Sequence, residues 1–160
     1  MSDATERTMR ERKGGDTAVD GLLAGLLAGL GMAAYLILTG LISGISPAVI
    51  LGYFDPGMVG QWLTGTLAHL AVSGVYGVVF ALLLAVVVRI RGPLLRFGWL
   101  IGLVYGLVLV ALARGVLLPM AGSALLQIST GHLFIAHAIY GLVLGFEVSR
   151  KWSTYTSEVS

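Results

Sequence analysis

Two histidines in apolar surroundings, His69 and His137, are the residues of this sequence with the clearest capacity for chemistry. Each follows an alanine, precedes a small residue by four positions and precedes a glycine by eight. Residues four apart lie on one face of an α-helix, so each pattern predicts a helix with an imidazole above a groove of small side chains. An imidazole can ligate a metal or haem iron, relay a proton or simply donate a hydrogen bond.

Arg114 is the third ionisable residue at a similar depth. Each of the two histidines lies seven residues into its apolar run, which is about 10 Å at the rise of an α-helix. Arg114 lies five residues before Pro119, within about 8 Å of the end of its own run. The spacing therefore predicts one layer of basic groups near the outer face, with His69, His137 and Arg114 as candidate cofactor-binding residues.

Three interpretations of this layer stay open. In the structural one, each imidazole bonds to a neighbouring helix, and the Arg114 guanidinium extends to lipid phosphate or to loop carbonyls near Pro119. In the second, His69 and His137 are axial ligands of haem b in an electron carrier, and Arg114 meets a propionate. In the third, the imidazoles relay protons or line the path of a small solute.

The composition places these residues in a membrane. Of 160 residues, 57% are apolar and only 11% are charged, which is typical of an integral membrane protein. The absence of cysteine excludes disulfides, thiolate metal sites, thiol nucleophiles and covalent haem attachment. The net charge of +2 does not imply nucleic acid, because basic residues at a lipid surface account for it.

Four runs are long enough to cross a bilayer, which takes about 20 helical residues. They predict an all-α fold, a polytopic bundle of four transmembrane helices at about 21–44, 62–88, 97–119 and 130–149. We expect a mobile cytoplasmic tail at 1–20 and a second cytoplasmic tail at 150–160.

The basic residues predict the orientation. Nine of the ten lie in the two tails and the middle loop, and only Arg114 lies near the other surface. The positive-inside rule then places both termini in the cytoplasm of a cell with a bacterial-type cytoplasmic (inner) membrane. The middle loop is short, so the second and third helices are expected to be antiparallel neighbours.

Glycines recur at four-residue spacing in the first helix (21, 25, 29) and in the third (98, 102, 106). Such rows allow helices to pack closely in lipid, so we expect interior packing faces. Alternatively, the glycine rows form a smooth face that leaves room for a flat cofactor or a solute. Together with the two histidine patterns, the rows predict two tandem parallel two-helix repeats.

Several of these features together resemble YagU-like bacterial inner-membrane proteins. They are the Gly-rich first helix, the Ala-His pairs, the segment 98–102 (Gly-Trp-Leu-Ile-Gly) and the ending 147–151 (Glu-Val-Ser-Arg-Lys). The resemblance spans residues 20–151 and implies a small inner-membrane protein without an established biochemical activity, associated in that family with acid conditions. The resemblance extends to His69 and His137, the histidines of the two Ala-His pairs. The first outer loop departs from the family pattern, since it is shorter and lacks cysteine.

The leading functional interpretation is a non-catalytic membrane component, a scaffold or a subunit of a membrane complex. The spans lack catalytic carboxylates and nucleophiles, so an enzyme is not expected. The expected partners are the lipid bilayer and further copies of the chain or other membrane subunits. No cofactor is expected, with haem b as the alternative.

Overall fold

The computed structural model describes residues 14–57, 59–90 and 92–158, and this part of the chain is helical with no strand. Four long helices are apolar enough to cross a membrane, so the protein is a multi-pass membrane protein. They are α1 (Gly14–Ile42), α2 (Trp62–Ile90), α3 (Gly98–Leu112, continued by Ala113–Leu117 and Leu118–Ala121) and α4 (Thr130–Glu158). Helices satisfy their backbone hydrogen bonds internally, as a lipid environment requires. The predicted all-α four-helix bundle is confirmed.

Two of the helices extend beyond the boundaries expected from the sequence. Residues 14–20, expected in a mobile tail, form the first turns of α1, and α4 runs to Glu158 through most of the tail expected at 150–160. Both extensions pack: Asp20 is buried, its carboxylate accepts a hydrogen bond from Lys151 Nζ at 3.4 Å, and Trp152 is only 2% exposed. The tail predictions for residues 1–13 and 159–160 lie outside the described residues.

Helix α3 contains a wide turn close to its end. Residues Ala113–Leu117 are π-helical, and the N–H of Leu118 bonds to the carbonyl of Ala113, five residues back. Pro119 follows two residues after this segment. Proline has no N–H to donate and its ring crowds the carbonyl four residues earlier, so a regular α-turn is disfavoured there. The helix stops at Gly122, whose φ of 59° is left-handed.

The helices pack as two pairs, α1 with α2 and α3 with α4, and the pairs meet mainly through α1 and α4. A Cβ atom on Gly25 would lie 2.5 Å from the carbonyl oxygen of Ser73, and one on Gly102 would collide with that of Gly141. The glycine rows are therefore interior packing faces, as predicted. Helices α2 and α3, the expected antiparallel neighbours, touch over only a small area.

The two pairs make corresponding contacts. Each row glycine of α1 lies against the backbone or small side chains around His69, Ser73, Gly77 and Ala81 of α2. The row glycines of α3 lie in the same order against the equivalent positions of α4, which are His137, Gly141, Gly145 and Ser149. Each histidine thus occupies the corresponding position in its helix, beside the last glycine of the facing row.

The two ends of the bundle differ in character. One end, which we call the basic end, carries Arg89, Arg96, Arg150 and Lys151. The other, the loop end, carries the connections 43–61 and 122–129. The first connection contains a short helix, Pro47–Gly52, and then a turn organised by Asp55. The carboxylate of Asp55 accepts hydrogen bonds from the N–H groups of Gly57 and Gln61 and from the Thr64 hydroxyl at 3.0–3.1 Å.

Candidate functional site

A cavity of about 400 Å³ lies at the loop end, between α2, α3 and α4 and beneath both connections. Most of its lining is apolar, from Met32, Leu109, Leu117 and similar side chains. The polar residues that line it are Asp55, His69, Ser73, Tyr76, Ser123, His137 and Tyr140. Few convergent polar groups in a mainly apolar cavity are typical of a site for a small molecule.

His69 is held in the cavity wall by α1 and by the first connection. Its Nε2 lies 3.0 Å from the carbonyl oxygen of Gly29, the last glycine of the α1 row. The ring of Phe54 packs against the imidazole, with 4.3 Å between the ring centroids. A Cβ on residue 29 would collide with Ser73, so the missing side chain is what lets α1 approach His69 closely.

His137 is held by its own helix. Its Nδ1 lies 2.9 Å from the carbonyl oxygen of Leu133, one turn earlier in α4. The side chain lines the same cavity as that of His69. The structure therefore brings the two sequence-predicted histidines together.

These two contacts determine which ring nitrogens carry hydrogen. A carbonyl oxygen only accepts, so Nε2 of His69 and Nδ1 of His137 are the donors. In a neutral imidazole the other nitrogen is then a bare acceptor. Within the described residues, neither Nδ1 of His69 nor Nε2 of His137 has a hydrogen-bond partner. The cavity wall thus contains two histidines with one free acceptor each.

Arg114, the third predicted site residue, is placed elsewhere. It lies in the π-helical turn of α3, and its Nη1 donates to the carbonyl oxygen of Leu126 at 3.2 Å. It does not contribute to the cavity lining, although its neighbour Ala113 does. This contact matches the structural interpretation, in which the guanidinium bonds to a loop carbonyl. The depth of Arg114 was predictable, but the direction of its side chain depends on the irregular turn.

Three tyrosines contribute to the site without having been predicted. The hydroxyl of Tyr140 donates to the carbonyl of Ser73 at 2.7 Å, and that of Tyr105 donates to the carbonyl of Tyr76 at 2.9 Å. The Tyr105 ring also packs on Phe80, with 5.2 Å between centroids. These contacts tie α3 and α4 to α2 on the basic-end side of the cavity. The signal was present, because a tyrosine inside an apolar span needs a partner for its hydroxyl.

The described lining of the cavity carries a negative charge and no positive one. Among the described residues that line it, none is Lys or Arg, and Asp55 is the one carboxylate. The hydrogen bond from the Gln61 N–H lowers the pKa of Asp55 most; desolvation opposes it, and bonds from Gly57 and Thr64 act with it. Asp55 is therefore ionised near neutral pH.

His132, the remaining histidine, belongs to a different and smaller cavity of about 170 Å³. Its Nδ1 lies 2.9 Å from the hydroxyl of Tyr35 on α1. Across the described ranges, no group of three or more metal-ligating side chains comes together. A comparison with known protein families, curated proteins and solved structures finds no match.

Proposed function

We propose that this protein is a non-catalytic membrane scaffold that binds one small lipophilic molecule in the cavity at its loop end. The observation that carries the proposal is the cavity itself, which contains both His69 and His137. Its volume of about 400 Å³ falls within the range of roughly 300–1,000 Å³ that is usual for ligand pockets.

The surroundings support binding rather than catalysis. Glycine contacts and tyrosine hydrogen bonds hold the helices that form the wall, so the cavity is built by packed elements. The carboxylate of Asp55 is engaged by three donors of its own turn. The usual signature of covalent catalysis is a nucleophile hydrogen-bonded to a base. The described cavity residues show no such pair.

Assembly with further copies or other membrane subunits is part of the same proposal. Because the glycine rows are occupied within the chain, such contacts would use the lipid-facing surface. Helix α3 offers the most of it, since it is the least buried of the four spans.

Haem b is the alternative occupant, favoured by the two free imidazole nitrogens in one cavity. The charges argue against it, because the described lining contains no cation for the propionates and does contain the carboxylate of Asp55. Arg114 bonds to Leu126 instead. A visible spectrum of the purified protein with and without dithionite decides between the two: a Soret band that is lost in His69→Ala would establish haem.

We also propose a location in a bacterial-type cytoplasmic membrane with the basic end in the cytoplasm, which the distribution of Lys and Arg supports. The corresponding glycine contacts of the two helix pairs support a tandem duplication. Membership of a YagU-like family remains a prediction from the sequence motifs.

Blocking the cavity tests the proposed function. Val72 lines the cavity while 52% of it is exposed, so Val72→Trp can fill the opening without overpacking the core. Val75 is 61% exposed on the same helix and does not line the cavity, which makes Val75→Trp the matched control. Naphthalene is the probe, with its fluorescence measured in protein-containing and empty lipid nanodiscs. We expect saturable binding in the parent and in Val75→Trp and its loss in Val72→Trp. Equal binding in all three would overturn the proposal.

A further inference from the structure

We propose that the ligand is a neutral, lipid-soluble aromatic molecule with two hydroxyl groups, of the hydroquinone class, which donates hydrogen bonds to His69 and His137. This inference rests on the proposed function and specifies what the cavity selects.

The two imidazoles in the wall require hydrogen-bond donors from the ligand. Both histidines line the cavity, and each donates its N–H to a backbone carbonyl, so the remaining ring nitrogen of each is an acceptor. The hydroxyl of Tyr140 is committed as a donor to Ser73. A ligand that carried only ether or carbonyl oxygens would leave both imidazole acceptors unpaired, which is costly in an apolar site. Pairing both imidazole acceptors requires two hydroxyl groups on the ligand.

The charges restrict the ligand to a neutral one. An anion would enter a cavity with no lining Lys or Arg among the described residues and with the Asp55 carboxylate at its wall. A cation would have to leave water for a mainly apolar lining, and Asp55, the one carboxylate among the described lining residues, already accepts three hydrogen bonds. A neutral hydroxyl avoids both costs.

The shape of the lining favours an aromatic ring. Phe54, Tyr76 and Tyr140 line the cavity beside the two imidazoles, so five ring systems surround it. Aromatic rings associate with one another in offset or edge-to-face arrangements that add to the energy of apolar burial. An aromatic diol therefore satisfies the apolar and the polar parts of the wall together.

The route of entry is from the lipid. Helices α2 and α3 touch over a small area, and the cavity lies between them. Val72 of α2 and Leu117 of α3 both line the cavity, and they are 52% and 42% exposed. The cavity thus reaches the lipid-facing surface at the loop end, where a membrane-dissolved molecule can enter sideways.

A pair of ligands that differ only in their donors provides the test. Binding of dihydroxynaphthalene and of dimethoxynaphthalene is measured by fluorescence titration in nanodiscs, with each value corrected for partition into empty nanodiscs. We expect the diol to bind the parent protein at least about tenfold more tightly, because methylation removes two hydrogen bonds. This comparison uses the unmodified protein and does not depend on whether a variant folds.

Variants then assign the preference to the histidines. His69→Phe and His137→Phe keep a ring and remove the acceptor, and each should reduce the preference for the diol several-fold. His132→Phe is the control, since His132 lines the other cavity, and it should keep the full preference. If the parent binds both ligands equally well, the donor assignment is overturned while the proposed binding function stands. If the parent binds no naphthalene at all, the proposed function itself is overturned.

Discussion

The hydroxyl of Tyr140 donates a hydrogen bond to the carbonyl oxygen of Ser73, 2.7 Å away and 67 residues earlier in the chain. Tyr140 belongs to the second helix pair and Ser73 to the first, so this bond joins the pairs directly beside the cavity. Ser73 is also the residue that meets Gly25 and Gly29 of α1. One short stretch of α2 therefore contacts both α1 and α4.

Removing this hydrogen bond should weaken the contact between the pairs. We expect Tyr140→Phe to lower the free energy of unfolding by about 1 kcal/mol, because the phenyl ring keeps the packing and only the donor is lost. Thermal unfolding in detergent measures the change. Tyr53→Phe, in the first connection, is the control and should leave the stability unaltered. Equal midpoints for both variants would contradict a stabilising role for the bond.

The glycine rows should be intolerant of larger residues. We expect Gly25→Leu and Gly102→Leu each to destabilise the bundle by about 1–3 kcal/mol or more, because the new side chain meets the backbone of the facing helix. Backbone cannot move aside as a side chain can. The measurement is the thermal midpoint in detergent, together with elution by size-exclusion chromatography.

Gly131 provides the matched control for these substitutions. A Cβ placed there meets nothing within 4 Å, although the residue is also a helical glycine. Gly131→Leu should therefore be as stable as the parent or slightly more stable, given the better helix propensity of leucine. Parent-like stability of Gly25→Leu and Gly102→Leu as well would mean that the rows do not pack as described.

Acid should loosen the first connection. The pKa of Asp55 is lowered from 3.8, chiefly by the hydrogen bond from the Gln61 N–H, so the folded loop favours the ionised carboxylate. The resulting stabilisation is present above the ordinary pKa and is lost as the pH falls through the lowered folded value. Amide hydrogen exchange at Gly57 and Gln61 should therefore rise, after correction for intrinsic rates, below pH 3.8.

Asp55→Asn separates this effect from general acid unfolding. The amide keeps one acceptor and loses the other, so exchange in the loop should already be raised at neutral pH and should show little further dependence on acid. A loop in Asp55→Asn that responds to acid as the parent does would assign the response to another group.

The orientation can be tested with reporter fusions. We expect alkaline phosphatase fused in the middle loop, after Pro93, to be inactive, because the enzyme folds only outside the cytoplasm. A fusion after Gly122 at the loop end should be active. If the fusion after Pro93 were active and the fusion after Gly122 inactive, the orientation would be the opposite one, and the cavity would open in the other leaflet.

Much of the architecture could be predicted from the sequence, because apolar length and four-residue spacing report directly on spans and packing faces. The shared depth of His69 and His137 followed from the same arithmetic. The direction of the Arg114 side chain did not, since a π-helical turn before Pro119 changes the direction of the side chains around it. The role of Asp55 was also missed: Asp-Pro-Gly indicates a turn, but the three hydrogen bonds that the carboxylate accepts depend on where Gln61 and Thr64 lie.

The pairing of consecutive helices has a consequence for biogenesis. Because α1 packs along α2 and α3 along α4, each glycine contact joins segments that are synthesised one after the other. The first hairpin can close in the bilayer while the second is still being translated, since it needs no residue beyond Ile90. The cavity is different, because its walls come from both hairpins. We expect it to form only when the second hairpin has been released and has docked, so ligand binding reports the final step of assembly.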